Sequence, residues 1–265
     1  QADRARTKRN AATIRCNFVE ANPALEQQLA VLVGSRPDCS VTLGLFTNAL
    51  SEIAQLAKTH SLFLYIDPYT VEGLNWRALD DVLQLVKQRD NSVELLLNFN
   101  VDSFCRRGRA ALKLSPIQSN PLVPELEWTD SATPQVSQLD AIVGGDWWRS
   151  LLTSATDYPS AVDAVTRRFC LQLAGRFSQV CRHDVKELER HLVPKYVLIF
   201  CSRHPDTRVL MNDAMCKSRD LQAEREEPAE STLFEMRPEK LVPDMKKLEL
   251  LVMEQMRKFP PEIRR

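Results

Sequence analysis

Glycine is scarce in this chain, with seven in 265 residues, which leaves little material for a glycine-rich turn. The seven cysteines (Cys16, Cys39, Cys105, Cys170, Cys181, Cys201 and Cys216) lie far apart and form no C-x-x-C pair. The usual spacings of a zinc site and of a disulfide framework are therefore both missing. Scattered thiols of this kind read as the reduced cysteines of a cytoplasmic protein, and no metal site is expected. No apolar run approaches the roughly 20 residues that span a bilayer, and no signal peptide is recognisable. Net charge is lacking too, since Lys plus Arg and Asp plus Glu both number 35. No global field recruits a polyanion, so a DNA or RNA surface would have to be a local patch. The chain opens "QADRARTKRN" without a methionine and soon enters a strand-like run, which points to a true N-terminus upstream.

From Thr13 to about residue 100, short apolar segments alternate with amphipathic ones. "TIRCNFVE" (13–20), "SVTLGLF" (40–46), "SLFLYID" (61–67) and "SVELLLNF" (92–99) predict strands. "NPALEQQLAVLV" (22–33), "NALSEIAQLAKTH" (48–60) and "NWRALDDVLQLVKQ" (75–88) predict helices, the first capped by Asn22 with Pro23 at its first position. Such alternation predicts a parallel sheet covered by helices on both faces. "VDSFCRRGRAAL" (101–112) predicts a further helix, and a polar insertion of about 114–138 follows. "LDAIVGGDWWRSLL" (139–152) resumes helical character around a Gly-Gly break, and another helix is expected at about 160–176. "FSQVCRHDVKEL" (177–188) and "KYVLIFCSR" (195–203) are joined too closely for a helical crossover, so they predict an antiparallel edge hairpin. The expected fold class is α/β, with the order of elements of a Rossmann-type methyltransferase sheet, mostly parallel with an antiparallel edge hairpin. The domain spans residues 1–220, a charged linker 221–240, and a C-terminal helical segment 241–265 containing "PDMKKLELLVMEQMRKFP".

Ligands of doubly wound sheets bind outside the carboxyl ends of the strands, which directs attention to the residues that follow each strand. Glu20 can accept hydrogen bonds from both ribose hydroxyls of an adenosyl cofactor, or be a solvated acid favoured by a helix dipole. Thr47 and Asn48 can meet an adenine ring, although Asn is also a common cap. Asp67, Pro68 and Tyr69 form the catalytic candidate. A carboxylate and a neighbouring backbone carbonyl can hold an exocyclic amine with its lone pair toward an electrophilic methyl group, while an aromatic ring stacks on the flipped base.

The stretches "FLYIDPYTVEGLNWRALDDVL", "ELLLNFN" with "FCRRGR", "GGDWW" and "KYVLIFCSRHP", in this order, resemble the three-Cys-motif partner proteins of bacteria and phages, over roughly residues 13–220. The resemblance implies a methyltransferase-like Rossmann domain, S-adenosylmethionine as cofactor, and a three-Cys-motif protein as partner. It also implies an upstream strand and a glycine-rich turn of the kind "FAGPG", which nothing in this sequence matches. Amino-methyltransferases usually read D-P-P-Y or N-P-P-Y, and here the motif is D-P-Y-T, one proline short. By motif match Asn98 and Asn100 line the target pocket and Arg106 and Arg107 meet phosphate, with a solvated helix face as the plain alternative for the arginines. Trp147 and Trp148 either stack on a base or anchor the core. Arg203 and His204 follow the last strand, and a lone histidine there is expected to be structural.

Two functions follow as expectations. One is a methyltransferase acting on an amino group of a nucleic-acid base. The other is a non-catalytic methyltransferase-fold scaffold for a three-Cys-motif protein or nucleic acid, with a C-terminal appendage that opens a winged-helix-like domain.

Overall fold

The computed structural model describes residues 14–68, 73–87, 93–114, 135–186 and 191–226. The expected appendage at 241–265, the linker from 227 onward and residues 115–134 of the expected insertion lie outside the described residues. The chain divides into compact units 1–216 and 217–265.

The fold is α/β. In chain order the elements are β1 (Cys16–Glu20), α1 (Pro23–Val33), β2 (Cys39–Leu43), α2 (Phe46–Leu56), β3 (Leu62–Ile66), α3 (Trp76–Lys87), β4 (Val93–Phe99), α4 (Val101–Ala111), α5 (Val136–Val143), α6 (Trp147–Ser154), α7 (Tyr158–Ala174), β5 (Gln179–Val185), β6 (Tyr196–Ser202) and α8 (Pro205–Glu226). The helix starts follow the side chains that satisfy their first amides. Asn22 Oδ1 accepts from Ala24 N at 2.9 Å, with Pro23 in the first turn. Asn75 Oδ1 accepts from Ala78 N at 3.1 Å, and Asp157 Oδ1 accepts from Ser160 N at 2.7 Å. α8 runs through the expected boundary at residue 220 as far as Glu226.

The strands form two sheets rather than the single sheet that the alternation predicts. β1 and β2 are a parallel pair. The second sheet has the order β3-β4-β6-β5, in which β3 and β4 are parallel and both β4–β6 and β6–β5 are antiparallel. The expected hairpin is present, with β5 at the edge. Among the described residues no strand pairing joins the two sheets.

The four-stranded sheet is covered unevenly. On one face Leu95, Leu97 and Phe99 of β4 and Val197, Ile199 and Cys201 of β6 are buried. They join Leu79, Phe104, Leu139, Trp148 and Phe169 in the main core. Aromatic rings run through it in sequence: Trp76 meets Phe169 edge-on at 5.5 Å, Phe169 stacks on Phe99 at 4.9 Å, and Phe104 meets Trp148 edge-on at 5.7 Å. Leu50 and Ala57 of the α2 segment pack with Val82 and Val93 in a second cluster. The opposite face of β3 stays open, with Phe63 55 % and Tyr65 56 % exposed. Cover on both faces is therefore not what β3 receives, because α3 to α7 all contribute to the cluster on the Leu95–Leu97 side.

Candidate functional site

Asp67 follows directly on β3 at its carboxyl end. Ile66 is the register partner of Leu97 in parallel β4, so Asp67 comes level with Asn98, and period-two alternation puts Tyr65 on the face that Asp67 takes. The side chains meet accordingly. Asn98 Nδ2 donates to Asp67 Oδ1 at 2.8 Å, and the Tyr65 hydroxyl donates to Asp67 Oδ2 at 2.9 Å. Burial first, and the hydrogen bond to Asp67 second, push the Tyr65 phenol up to about 12, so Tyr65 holds the carboxylate as a donor that keeps its proton. With its amide nitrogen committed to Asp67, the side-chain oxygen Oδ1 of Asn98 is buried and has no hydrogen-bond partner. A buried acceptor without a donor costs free energy that an N–H from a ligand would recover. Pro68 is packed closely by Gly73, where an added Cβ would stand 2.9 Å from Pro68 Cβ. Tyr69 lies outside the described residues.

The other carboxyl-end residues are placed as follows. Glu20 ends β1, and its Oε1 accepts from Asn22 N at 2.8 Å. That leaves the second carboxylate oxygen of Glu20 as an acceptor at the strand's end. Gly44 N donates to Glu20 O at 2.9 Å and ties the ends of β1 and β2 together. Thr47 and Asn48 sit in the first turn of α2, Thr47 half-buried and Asn48 exposed. The cap position of α2 is Leu45, which has no side-chain cap. No hydrogen bond among the described residues links the Glu20 group to the Asp67 group.

Three expected ligand contacts are taken up by the protein's own structure. Asn100 caps α4, its Oδ1 accepting from Ser103 N at 3.0 Å. Arg106 is ion-paired with Asp102 at 2.8 Å, in a buried network where the Tyr158 hydroxyl donates to Asp102 Oδ1 at 2.7 Å and lies 3.0 Å from its carbonyl oxygen. Arg107 is half-buried on the same helix. Trp148 has no exposure, and its indole N–H donates to Asp140 at 2.9 Å. It is a core anchor, and no face of it is open to a base. Trp147 is half-buried, with Arg168 5.4 Å from its ring. His204 accepts from Asp206 N at 3.3 Å at the start of α8.

Two features of the site did not figure in the sequence reading. Tyr65 looked like one more strand residue, although its i, i+2 relation to Asp67 was a signal that could have found it. The Asp102–Tyr158 pair joins residues far apart in the chain, and no local pattern marks it. Among the described residues no group of three or more His, Cys, Asp or Glu could hold a metal ion, and no helix is long and apolar enough to cross a membrane. No family model, curated protein or solved structure matches the chain.

Proposed function

We propose that this chain is a three-Cys-motif partner protein whose Rossmann-type methyltransferase domain transfers a methyl group from S-adenosylmethionine to an amino group of a nucleic-acid base. The observation that carries the reading is the Asp67–Asn98 pair with its unpartnered Asn98 Oδ1. An exocyclic amine has two N–H groups. Asp67 accepts one, Asn98 Oδ1 accepts the other, and the nitrogen lone pair is left pointing away from both. The carboxylate stabilises the positive charge that develops on the amine, and the Tyr65 hydroxyl fixes its orientation. Pro68 supplies a carbonyl beside the same position.

The cofactor supplies an electrophilic methyl group on a sulfonium. Glu20 suits its ribose end, because one carboxylate oxygen is used by Asn22 N and the other is available to a hydroxyl. Thr47 and Asn48 would lie toward the adenine. The family resembled has a strand and a glycine-rich turn ahead of β1. A strand in that place would pair with the outer edges of β1 and β3, which carry no partner among the described residues.

The test uses the intact protein: S-adenosylmethionine binding by calorimetry, then methyl transfer to DNA and RNA by wild type and Asp67→Ala. The expected result is cofactor binding by both, with transfer reduced roughly 10²-fold or more in the variant. Absence of cofactor binding in the intact protein ends the reading.

The open face of β3 favours a second reading, a methyltransferase-fold scaffold that docks a three-Cys-motif protein, since an apolar ring as exposed as Phe63 suits a partner surface. Partner capture that survives Asp67→Ala and is lost in Phe63→Asp, with no methyl transfer in either, is the outcome that selects it.

A further inference from the structure

We infer that Cys16 and Cys39 form an oxidisable dithiol, a reversible disulfide site that joins β1 to β2. The two residues are register partners in the parallel β1–β2 pair. Register partners in neighbouring strands project to the same face, and the strands run about 4.8 Å apart. That spacing falls inside the roughly 4.4–6.8 Å window of Cα separations that a disulfide spans. Both thiols are free, Cys16 exposed and Cys39 partly so. The backbone already fixes this end of the pair, because Cys16 N donates to Asp38 O at 2.8 Å. The remaining five cysteines differ. Cys105 and Cys201 are buried, Cys170 and Cys181 are half-buried, and Cys216 is exposed on α8.

The chemistry is thiol–disulfide exchange with a low-molecular-weight disulfide, RSSR. The Cys16 thiolate attacks one sulfur of RSSR, forming a mixed disulfide and releasing one RS⁻. The Cys39 thiolate then attacks Cys16 Sγ and expels the second RS⁻, closing the Cys16–Cys39 bond. Two protein thiols are oxidised, one RSSR is reduced to two RSH, and the two protons lost by the cysteines are those gained by the leaving thiolates. Cys16 makes the first attack because it is the more exposed thiol. Desolvation and then the Asp38 carboxylate, 3.9 Å from Cys39 Sγ, hold the Cys39 proton on more firmly. The cross-link lies at the opposite end of β1 from Glu20, and so it ties the two strands together without occupying the carboxyl edge.

The experiment treats the reduced intact protein with oxidised glutathione, quenches with an alkylating agent, and maps the thiols by mass spectrometry after proteolysis. The expected product is a peptide pair joined through Cys16 and Cys39, lighter by two hydrogens and restored by dithiothreitol, while Cys216 carries a glutathione adduct. Cys16→Ser and Cys39→Ser should each leave a glutathione adduct on the remaining thiol in place of the internal bond. The oxidised wild type should melt several degrees above its reduced form, and neither serine variant should show that shift. Glutathione adducts or alkylation at both Cys16 and Cys39 in the wild type, or a bond from either to a third cysteine, overturns the assignment.

Discussion

Gly144→Ala tests whether the "GGDWW" segment bends for a ligand or for the core. Gly144 closes α5 in the left-handed conformation, φ 76° and ψ 36°, with its N–H donating to Asp140 O at 2.7 Å. A Cβ built there would stand 2.1 Å from Cδ1 and 2.5 Å from Cγ of Trp76, a ring that is only 8 % exposed and is held edge-on by Phe169. Forcing an L-residue into that backbone conformation costs about 1–2 kcal/mol, and overpacking a filled core adds about 1–3 kcal/mol. The sum is a loss of about 2–5 kcal/mol, a large share of the roughly 5–15 kcal/mol that stabilises a domain. Urea unfolding followed by tryptophan fluorescence measures it. Gly145→Ala is the comparison. Its Cβ would meet Trp147 Cδ1 at 3.3 Å and nothing closer, so it keeps the backbone strain and loses most of the clash. Trp76→Leu in the Gly144→Ala background should recover part of the loss, because the two positions share one contact. A loss below about 1 kcal/mol in Gly144→Ala would refute the argument, since it would mean that Trp76 is free to move.

Tyr158→Phe removes the hydroxyl that donates to buried Asp102 at 2.7 Å and leaves that carboxylate its ion pair with Arg106. The expected cost is about 1.5–3 kcal/mol by denaturant unfolding; a neutral result would mean that Asp102 finds another donor. Tyr65 should titrate near 12 by ultraviolet absorbance, above the ordinary tyrosine value of 10.0. The sign follows from the raised pKa: the phenol–carboxylate bond adds stability fully below pH 10 and loses it as pH rises through about 12. Wild type and Tyr65→Phe should therefore differ in stability at neutral pH and converge at the alkaline end, and a constant difference across that window would sink the assignment.

Most helix and strand positions are legible because the residues that decide them are local. Asn22-Pro23 marks the start of α1, Asn75 that of α3, and the Gly144-Gly145 break separates α5 from α6. α2 begins at Phe46, two residues before the Asn48 that looked like its cap, because Leu45 occupies the cap position with no side-chain bond to signal it. α8 continues to Glu226 because Glu, Arg, Gln and Ala are good helix formers, even though the same charged composition reads as a linker. The Asp67–Asn98 bond spans 31 residues and depends on which strand lies beside β3, a fact that no local pattern contains. Burial separated the two tryptophans in the same way. Adjacent residues on α6 point to different surroundings, and only Trp148 lies wholly within the core.

The open face of β3 and the Asp67 site have one cause. Tyr65 reaches Asp67 because it lies on the face that α3 to α7 do not cover, and Phe63 shares that face. A strand of a parallel α/β sheet is ordinarily buried on both sides, so the stability carried by Phe63 measures how completely its face is open. A fully buried Phe→Ala change costs about 3–5 kcal/mol. With Phe63 55 % exposed, less than half of that transfer is at stake and no closed cavity forms, so Phe63→Ala should cost about 1 kcal/mol. The measurement is denaturant unfolding of the chain alone. A loss above about 3 kcal/mol would mean that another segment covers Phe63 in solution, and the same cover would then shield Tyr65 and the approach to Asp67.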